Sequence, residues 1–226
     1  MKQHFYLTLQ ATYETIEYAL CSYEHGVTVI DQRFVSKMQA SSLLMQELNE
    51  LLVSHNLAWK NLKALVVNCG PAPFTTLRAL IATVNGISFA TKIPLVGVDG
   101  LKAFVLENPQ DAVTVVVLNA FAGDVYFAIN DCGVVVEYGW QNGIALLQSL
   151  QSRYSGKRIL FKGNGVELLN SSMVEVFGKN ATVIQPNQLI VSLQTIAHEI
   201  VTLSEKSQCF HLSPLYLKTI EYKPSM

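Results

Sequence analysis

His4–Val35, HFYLTLQATYETIEYALCSYEHGVTVIDQRFV, reads as three short strands in succession. They run over His4–Ala11, Thr15–Ser22 and Val27–Val35, each rich in β-branched and aromatic residues. Thr12-Tyr13-Glu14 and Tyr23-Glu24-His25-Gly26 are the turns between them, with Gly26 expected to supply a positive φ. Beyond the third strand the period changes. Leu44, Leu48, Leu51 and Leu52 recur at i, i+4, i+7 and i+8, which predicts a helix over Gln39–Asn56 with one apolar stripe. Leu62–Cys69 is an apolar strand. Gly70-Pro71-Ala72-Pro73 turns the chain into a second helix, Thr76–Thr91, capped by Thr75 or Thr76. Pro94–Val98 is a further strand, and a short helix starts at Gly100.

The same order then returns. Ala112–Ala120, Asp124–Ile129 and Val134–Trp140 are three strands joined at Phe121-Ala122-Gly123 and Asp131-Cys132-Gly133. The second and third begin about 108 residues after their counterparts. A helix (Gly143–Tyr154), a strand (Arg158–Lys162), a helix (Val166–Phe177), a strand (Ala181–Gln185) and a helix (Ser192–Glu205) follow. Two copies of one pattern predict two α/β lobes, residues 1–106 and 107–226. Each has a mixed sheet, with three antiparallel strands first and helical crossovers making the rest parallel. This is the layout of the actin, sugar-kinase and Hsp70 (ASKHA) type of fold.

Composition narrows the function classes. Apolar residues make up 50% of the 226 and charged residues 15%, and the mean hydropathy is +0.29. No apolar run reaches the roughly 18 residues of a membrane span. The apolar surplus therefore belongs to strands buried on both faces, or to a partner surface. Net charge is −1 and the 16 Lys and Arg are scattered, which argues against strong independent binding to nucleic acid. Met1-Lys2-Gln3-His4 leads straight into a strand without the features of a signal peptide. Cys21, Cys69, Cys132 and Cys209 have neither metal-ligand nor redox spacing. A cytoplasmic chain with reduced thiols is the expectation.

Catalytic groups are not evident. In the actin-like fold an Asp at the end of strand one usually holds the magnesium of a nucleotide. Here that strand ends Leu9-Gln10-Ala11, with no carboxylate for a metal ion and no glycine for close phosphate approach. Glu14 belongs to a turn, and Gly123-Asp124 reads better as a turn than as a nucleotide contact. Gly70–Arg78 lacks the Gly-Lys-Ser/Thr of a phosphate loop, and Pro71 and Pro73 remove two amide donors. There is no Gly-x-Ser-x-Gly elbow. His4, His25, His55, His198 and His211 form no closely spaced pair, and His198-Glu199 lacks the second His of a zincin. No catalytic residue, metal ligand or cofactor is expected. The helix Thr76–Thr91 is distinctive instead: Ala82, Gly86 and Ala90 form a stripe of small residues, with Ala79 and Thr83 beside it. Such a stripe lets another backbone come close.

Leu65–Phe104, opening Val66-Val67-Asn68-Cys69-Gly70-Pro71, resembles the most recognisable stretch of the TsaB (YeaZ) family. There a strand leads into Gly-Pro-Gly-Ser-Phe-Thr-Gly-Leu-Arg, a small-residue helix and Ile-Pro-Leu-Val-Gly-Val, the last standing here as Ile93–Val98. Gly70, Pro71, Phe74, Thr75 and Arg78 are the positions that keep the loop motif. Asn119–Tyr126 is similar to the family's Asp-Ala-Arg-x-Gly-Glu-Val-Tyr turn, and Pro214–Lys218 to its Pro-x-Tyr-x-Arg. Departures mark a divergent member: Asp-Thr-Ser is Leu9-Gln10-Ala11, His-Ser-Glu is Ala40-Ser41-Ser42, and Gly-Pro-Gly-Ser is Gly70-Pro71-Ala72-Pro73. The catalytic paralogue TsaD carries a His-x-x-x-His metal pair; those places fall here on Gly100 and Phe104.

The resemblance implies a non-catalytic scaffold. It would pair with TsaD for threonylcarbamoyl transfer to N6 of adenosine 37 in tRNAs reading ANN codons. Pairing would use the first two helices of both proteins, with the small ATPase TsaE docking on the pair and tRNA bound only through the complex. The chain alone could form a homodimer through the same helices. The interface residues expected on this basis are Leu44, Met45, Leu48, Leu52, Ala79, Ala82, Thr83, Gly86 and Ala90. A degenerate actin-like ATPase or sugar kinase is the alternative.

Overall fold

The computed structural model describes residues 4–108, 111–183, 190–202 and 209–218. Its strands are β1 (His4–Ala11), β2 (Thr15–Tyr23), β3 (Val27–Ser36), β4 (Leu62–Asn68), β5 (Leu95–Val98), β6 (Val113–Asn119), β7 (Asp124–Asp131), β8 (Val134–Asn142), β9 (Ile159–Lys162) and β10 (Ala181–Val183). Its helices are α1 (Ala40–Ser54), α2 (Phe74–Thr91), α3 (Gly100–Leu106), α4 (Gly143–Arg153), α5 (Val166–Phe177) and α6 (Leu193–Thr202). Parts of the last expected strand and helix, residues 184–185 and 203–205, lie outside the described residues. Gly26 does not adopt the positive φ expected of it, whereas the hairpin turns of the second sheet do contain left-handed residues: Phe121, Ala122 and Gly123 in one, Cys132 and Gly133 in the other. Helix α2 starts two residues early, with Pro73 rather than a threonine at its N-cap. Proline's fixed φ already suits the chain for helix entry there.

The two five-stranded sheets share one topology. The first runs β3-β2-β1-β4-β5 and the second, read from its opposite edge, β8-β7-β6-β9-β10. In each, the first three strands pair antiparallel and the last two parallel. Even an irregularity is repeated. One extra residue interrupts the β2–β3 ladder at Ile30, opposite Leu20/Cys21, and another the β7–β8 ladder at Val136, opposite Ile129/Asn130. A bulge at the same place in both copies supports duplication.

The chain divides into two compact units, and their composition differs from the expected split at 106/107. The first contains everything up to Gly100 and also Ser192–Leu215; the second contains Leu101–Val191 and the segment from Tyr216. In the first unit, α1 and α2 cover one face of the sheet. Leu44, Leu48, Leu51, Leu52, Leu77, Leu80 and Val84 pack there against Leu7, Leu9, Tyr18 and Leu65. The opposite face carries Thr8, Ala19, Cys21 and Val66, all buried. It is covered by α6, whose Leu193, Ile196 and Ala197 are buried and which contacts all five strands. In the second unit, α4 and α5 cover Val115, Val117, Phe127 and Phe161 with Leu146, Leu147, Leu169 and Met173. The other face meets α3: Asn130 Nδ2 donates to the Val105 carbonyl at 3.4 Å, and Lys102 Nζ lies 4.2 Å from the Tyr138 ring. Each sheet thus takes its second cover from a helix that chain order assigns to the other half. Strands buried on both faces require two covers, whatever their origin.

Lys162 ends β9 on that α3 side and is almost wholly buried. Its Nζ donates to the Glu107 carbonyl at 2.7 Å and lies 4.7 Å from the Phe104 ring. Burial pushes its pKa down from 10.5 to about 8, with the Glu107 carboxylate pulling the other way. Between these values the unfolded chain binds more protons than the folded one, so stability rises with pH across the window.

Two tests follow from this packing. Ile196→Ala should cost about 2–5 kcal/mol and destabilise the first unit, although residue 196 lies late in the chain. The two tryptophans, Trp59 and Trp140, fall one in each unit. In a Trp140→Phe background, the Trp59 fluorescence midpoint in urea should therefore fall. Separately, urea midpoints of the wild type and Lys162→Met should diverge in favour of the wild type between pH 8 and 10.5, and stay at a fixed difference below pH 8.

Candidate functional site

The end of β1 is closed by its own polar groups. Gln10 is buried, and its Nε2 donates to Glu17 Oε2 at 2.8 Å across the β1–β2 pair. Asn68 Nδ2, at the end of β4, donates to Gln10 Oε1 at 3.4 Å, and Asn68 Oδ1 accepts the Gly70 amide at 2.9 Å. The amide side chains thus occupy each other where a metal-binding carboxylate would stand. Glu14, in the adjoining turn, pairs with Lys37 at 2.8 Å. Asp124, in the matching turn of the second unit, pairs with Lys218 at 2.8 Å, and Lys218 also donates to the Ala120 carbonyl.

The loop from β4 to α2 is built for close packing. Gly70 has φ 122°, and a Cβ there would lie 3.1 Å from both the Leu215 carbonyl oxygen and Leu77 Cδ2. Only glycine suits that combination. Pro71 is buried, Thr75 is exposed, and Arg78 stacks its guanidinium 3.5 Å from the Phe74 ring centroid. The late segment of the chain fastens to the same elements. The Leu215 amide donates to the Cys69 carbonyl at 2.7 Å, and Asn85 exchanges two 2.9 Å hydrogen bonds with the Leu212 backbone.

Helix α2 has a filled side and an open side. Leu77, Leu80, Ile81, Val84 and Ile87 are buried; Ala82, Gly86 and Ala90 are exposed, with Ala79 and Thr83 at the margin. A Cβ placed on Gly86 would meet nothing within 4 Å. Phe89, 77% exposed, ends this face, with Lys92 Nζ 4.7 Å from its ring. On α1, Met45 and Val53 are exposed. Leu44, Leu48 and Leu52, expected at the interface, are instead inside the unit's own core, because the i, i+4, i+8 leucine stripe is what α1 buries against the sheet. Phe89 and Val53 were not expected on the open side. Phe89 follows Ala82 and Gly86 at i+7 and i+3, a spacing that identifies it.

The places expected to correspond to the paralogue's metal pair are closed by packing. Gly100 is buried, and a Cβ there would lie within 2.3 Å of the Asn68 side chain; Phe104 is fully buried. Neither offers a metal ligand. Among the described residues no three His, Cys, Asp or Glu side chains group as a metal site. Burial pushes the Cys69 thiol up to about 11 and raises that of Cys21, while the hydrogen bond to Asp131 raises that of Cys132. High pKa values keep thiols protonated and poorly nucleophilic at neutral pH. No helix among the described residues is long and apolar enough to cross a membrane.

Comparison with known proteins agrees with this architecture. The family model for TsaD, tRNA N6-adenosine threonylcarbamoyltransferase, matches residues 35–172. An uncharacterized protein of Mycobacterium leprae is 42% identical over 77 residues, 34% of this chain and 21% of that one. One of Mycobacterium tuberculosis is 34% identical over 105 residues, 46% and 49% of the two chains. The matched stretch thus spans between a fifth and a half of these curated relatives. Two solved structures from Pseudomonas aeruginosa share the fold. One, described as having similarity to peptidase YEAZ, has a TM-score of 0.72 at 16% identity over 95% of this chain and 100% of that one. The other, YeaZ, has a TM-score of 0.68 at 14% identity over 94% and 100%. With the family model spanning more than half of its length, the chain belongs to the TsaD family of tRNA N6-adenosine threonylcarbamoyltransferases, and it does so on a YeaZ-type fold.

Proposed function

We propose that this chain is a non-catalytic scaffold of the TsaB kind, which pairs with and orders a catalytic TsaD subunit for threonylcarbamoyl transfer to N6 of adenosine 37 in tRNA. The observation that carries the reading is the open face of α2. Glycine inside a helix costs about 1 kcal/mol relative to alanine, and the space over Gly86 is empty. Nothing inside the unit accounts for a glycine at that position, whereas the close approach of a second helix does. Ala82 and Ala90 extend the same low surface, and Met45, Phe89 and Val53 supply apolar surface around it. The places of the paralogue's metal pair, held here by Gly100 and Phe104, support assigning the chemistry to the partner. TsaE would dock on the assembled pair, and tRNA would bind through the complex, in keeping with a chain whose net charge is −1.

Reconstitution tests the reading. Modification of tRNA by the synthase, TsaD and TsaE of the same organism should require this chain, as read by mass spectrometry of the digested nucleosides. Modification that proceeds equally without it, together with no binding to TsaD, overturns the proposal in favour of a degenerate ATPase. A second outcome is specific to α2. Gly86→Leu should stabilise the isolated chain by roughly 0.5–1 kcal/mol through helix propensity, yet abolish co-purification with TsaD. A folded variant that still pairs removes α2 from the interface.

A further inference from the structure

The outer edge of the second sheet carries two aromatic rings on either side of a glycine, Tyr138-Gly139-Trp140 of β8. Tyr138 lies opposite Ala128, and Trp140 opposite Tyr126. Residues directly opposite in an antiparallel pair share a face of the sheet. Val125, Phe127 and Ile129 of β7 belong to the core under α4 and α5. Tyr126, Tyr138 and Trp140 therefore stand together on the other face, the one that α3 meets. They are not closed over: Tyr138 is 39% and Trp140 38% exposed, and Tyr126 is half-buried. An edge strand is ordinarily guarded by charge. Here two large rings about 7 Å apart along the strand take that place.

Cations are brought to the same rings. Lys102 Nζ, from α3, lies 4.2 Å from the Tyr138 ring centroid, and Lys218 Nζ lies 5.5 Å from that of Trp140. The nearby carboxylates are turned away or paired. Glu137 points to the opposite face, where it accepts from Arg153 Nη1 at 2.7 Å, and Asp124 is paired with Lys218. All of these residues lie within the second unit.

We infer that this face binds a single-stranded segment of RNA, with unpaired bases stacked on Tyr138 and Trp140 and the ammonium groups of Lys102 and Lys218 on its phosphates. That the strand is RNA, and part of the tRNA, rests on the scaffold reading above; stacking itself asks only for an unpaired base. Aromatic–small–aromatic spacing along a strand is how RNA-recognition motifs set two rings on one sheet face. This fold is a different one and shares only that device. The ring spacing is twice the roughly 3.4 Å step between stacked bases, so each ring takes a base of its own. An apolar partner would bury both ammonium groups without a counter-charge, whereas a phosphate backbone supplies one. Two rings and two lysines make a weak site, in keeping with a net charge of −1. Its contribution grows when the complex holds the rest of the tRNA, because the second contact is then intramolecular.

Trp140 itself reports the test. In a Trp59→Phe background it is the remaining tryptophan. Its emission should be quenched saturably by a single-stranded RNA of about ten nucleotides, and far less by the same sequence in a duplex. Tyr138→Thr, a β-branched replacement suited to a strand, should weaken binding about tenfold. Tyr138→Phe keeps the ring and should bind as the parent does. Lys102→Gln, at an exposed helix position, should reduce the log–log salt slope of the affinity by about 0.7, and it serves even where Tyr138→Thr fails to fold. Unmodified tRNA of the same organism should displace the oligonucleotide. Absence of quenching, equal binding of the duplex, a folded Tyr138→Thr of undiminished affinity or an unchanged salt slope in Lys102→Gln would overturn the inference, and a tRNA that displaces nothing would overturn its assignment to tRNA. The assay contains no TsaD. A chain that supports modification but leaves the oligonucleotide unbound therefore keeps the scaffold function and loses this surface.

Discussion

A strand whose two faces are both apolar must be covered twice, and that requirement organises this chain. β1 and β4 in the first sheet, and β6 and β9 in the second, are buried on both faces. The helices that connect successive strands in each unit lie on one face only. The second face is met by α6 in the first unit and by α3 in the second. The first unit therefore takes its second cover from a segment far along the chain, whereas α3 directly precedes the first strand of the sheet it covers. The mean hydropathy of +0.29 reflects the same demand, since five strands per sheet leave few positions facing water.

The polar groups at the strand ends are held by one another. In the first unit a carboxamide, Gln10, is locked between Glu17 and Asn68. A group held in that way satisfies itself and has no unmet need for a cation. In the second unit, Lys218 neutralises Asp124 and caps the turn before it. Against this, the open side of α2 is unusual because its residues are small as well as exposed. Solvent alone would favour long, polar helix formers there.

Much of the fold was legible because each element carries its own period. α5 spans Val166–Phe177, as the sequence reading has it, and buries Val166, Leu169 and Met173. The six antiparallel strands follow from alternation and turn residues. What the sequence could not convey is the assignment of covers. The pattern of Leu193, Ile196 and Ala197 shows that α6 has an apolar face, yet the face holds no information on which sheet it meets. The candidate site was half legible for a similar reason. On α1 the leucine stripe is strong, so Leu44, Leu48 and Leu52 stand out, but a strong stripe is what a helix turns to its own sheet. On α2 both sides are apolar, and only size separates them: large residues fill the core and small ones remain outside. The bulges at Ile30 and Val136 leave no trace in composition, being set by how turns at both ends of a strand fix its register.

The late return of the chain to the first unit has a consequence for the order of synthesis. Ninety-one residues, Leu101–Val191, lie between Gly100 and Ser192. At elongation rates of roughly 5–20 residues per second, the first sheet waits about 5–20 seconds for the helix that shields its second face. During that interval the emerging polypeptide presents Thr8, Ala19, Cys21 and Val66 on an uncovered apolar surface. The opposite surface, with α1 and α2, has already left the ribosome in full. Surface exposed in this way is prone to aggregation, and the vulnerable period ends only when α6 emerges from the exit tunnel.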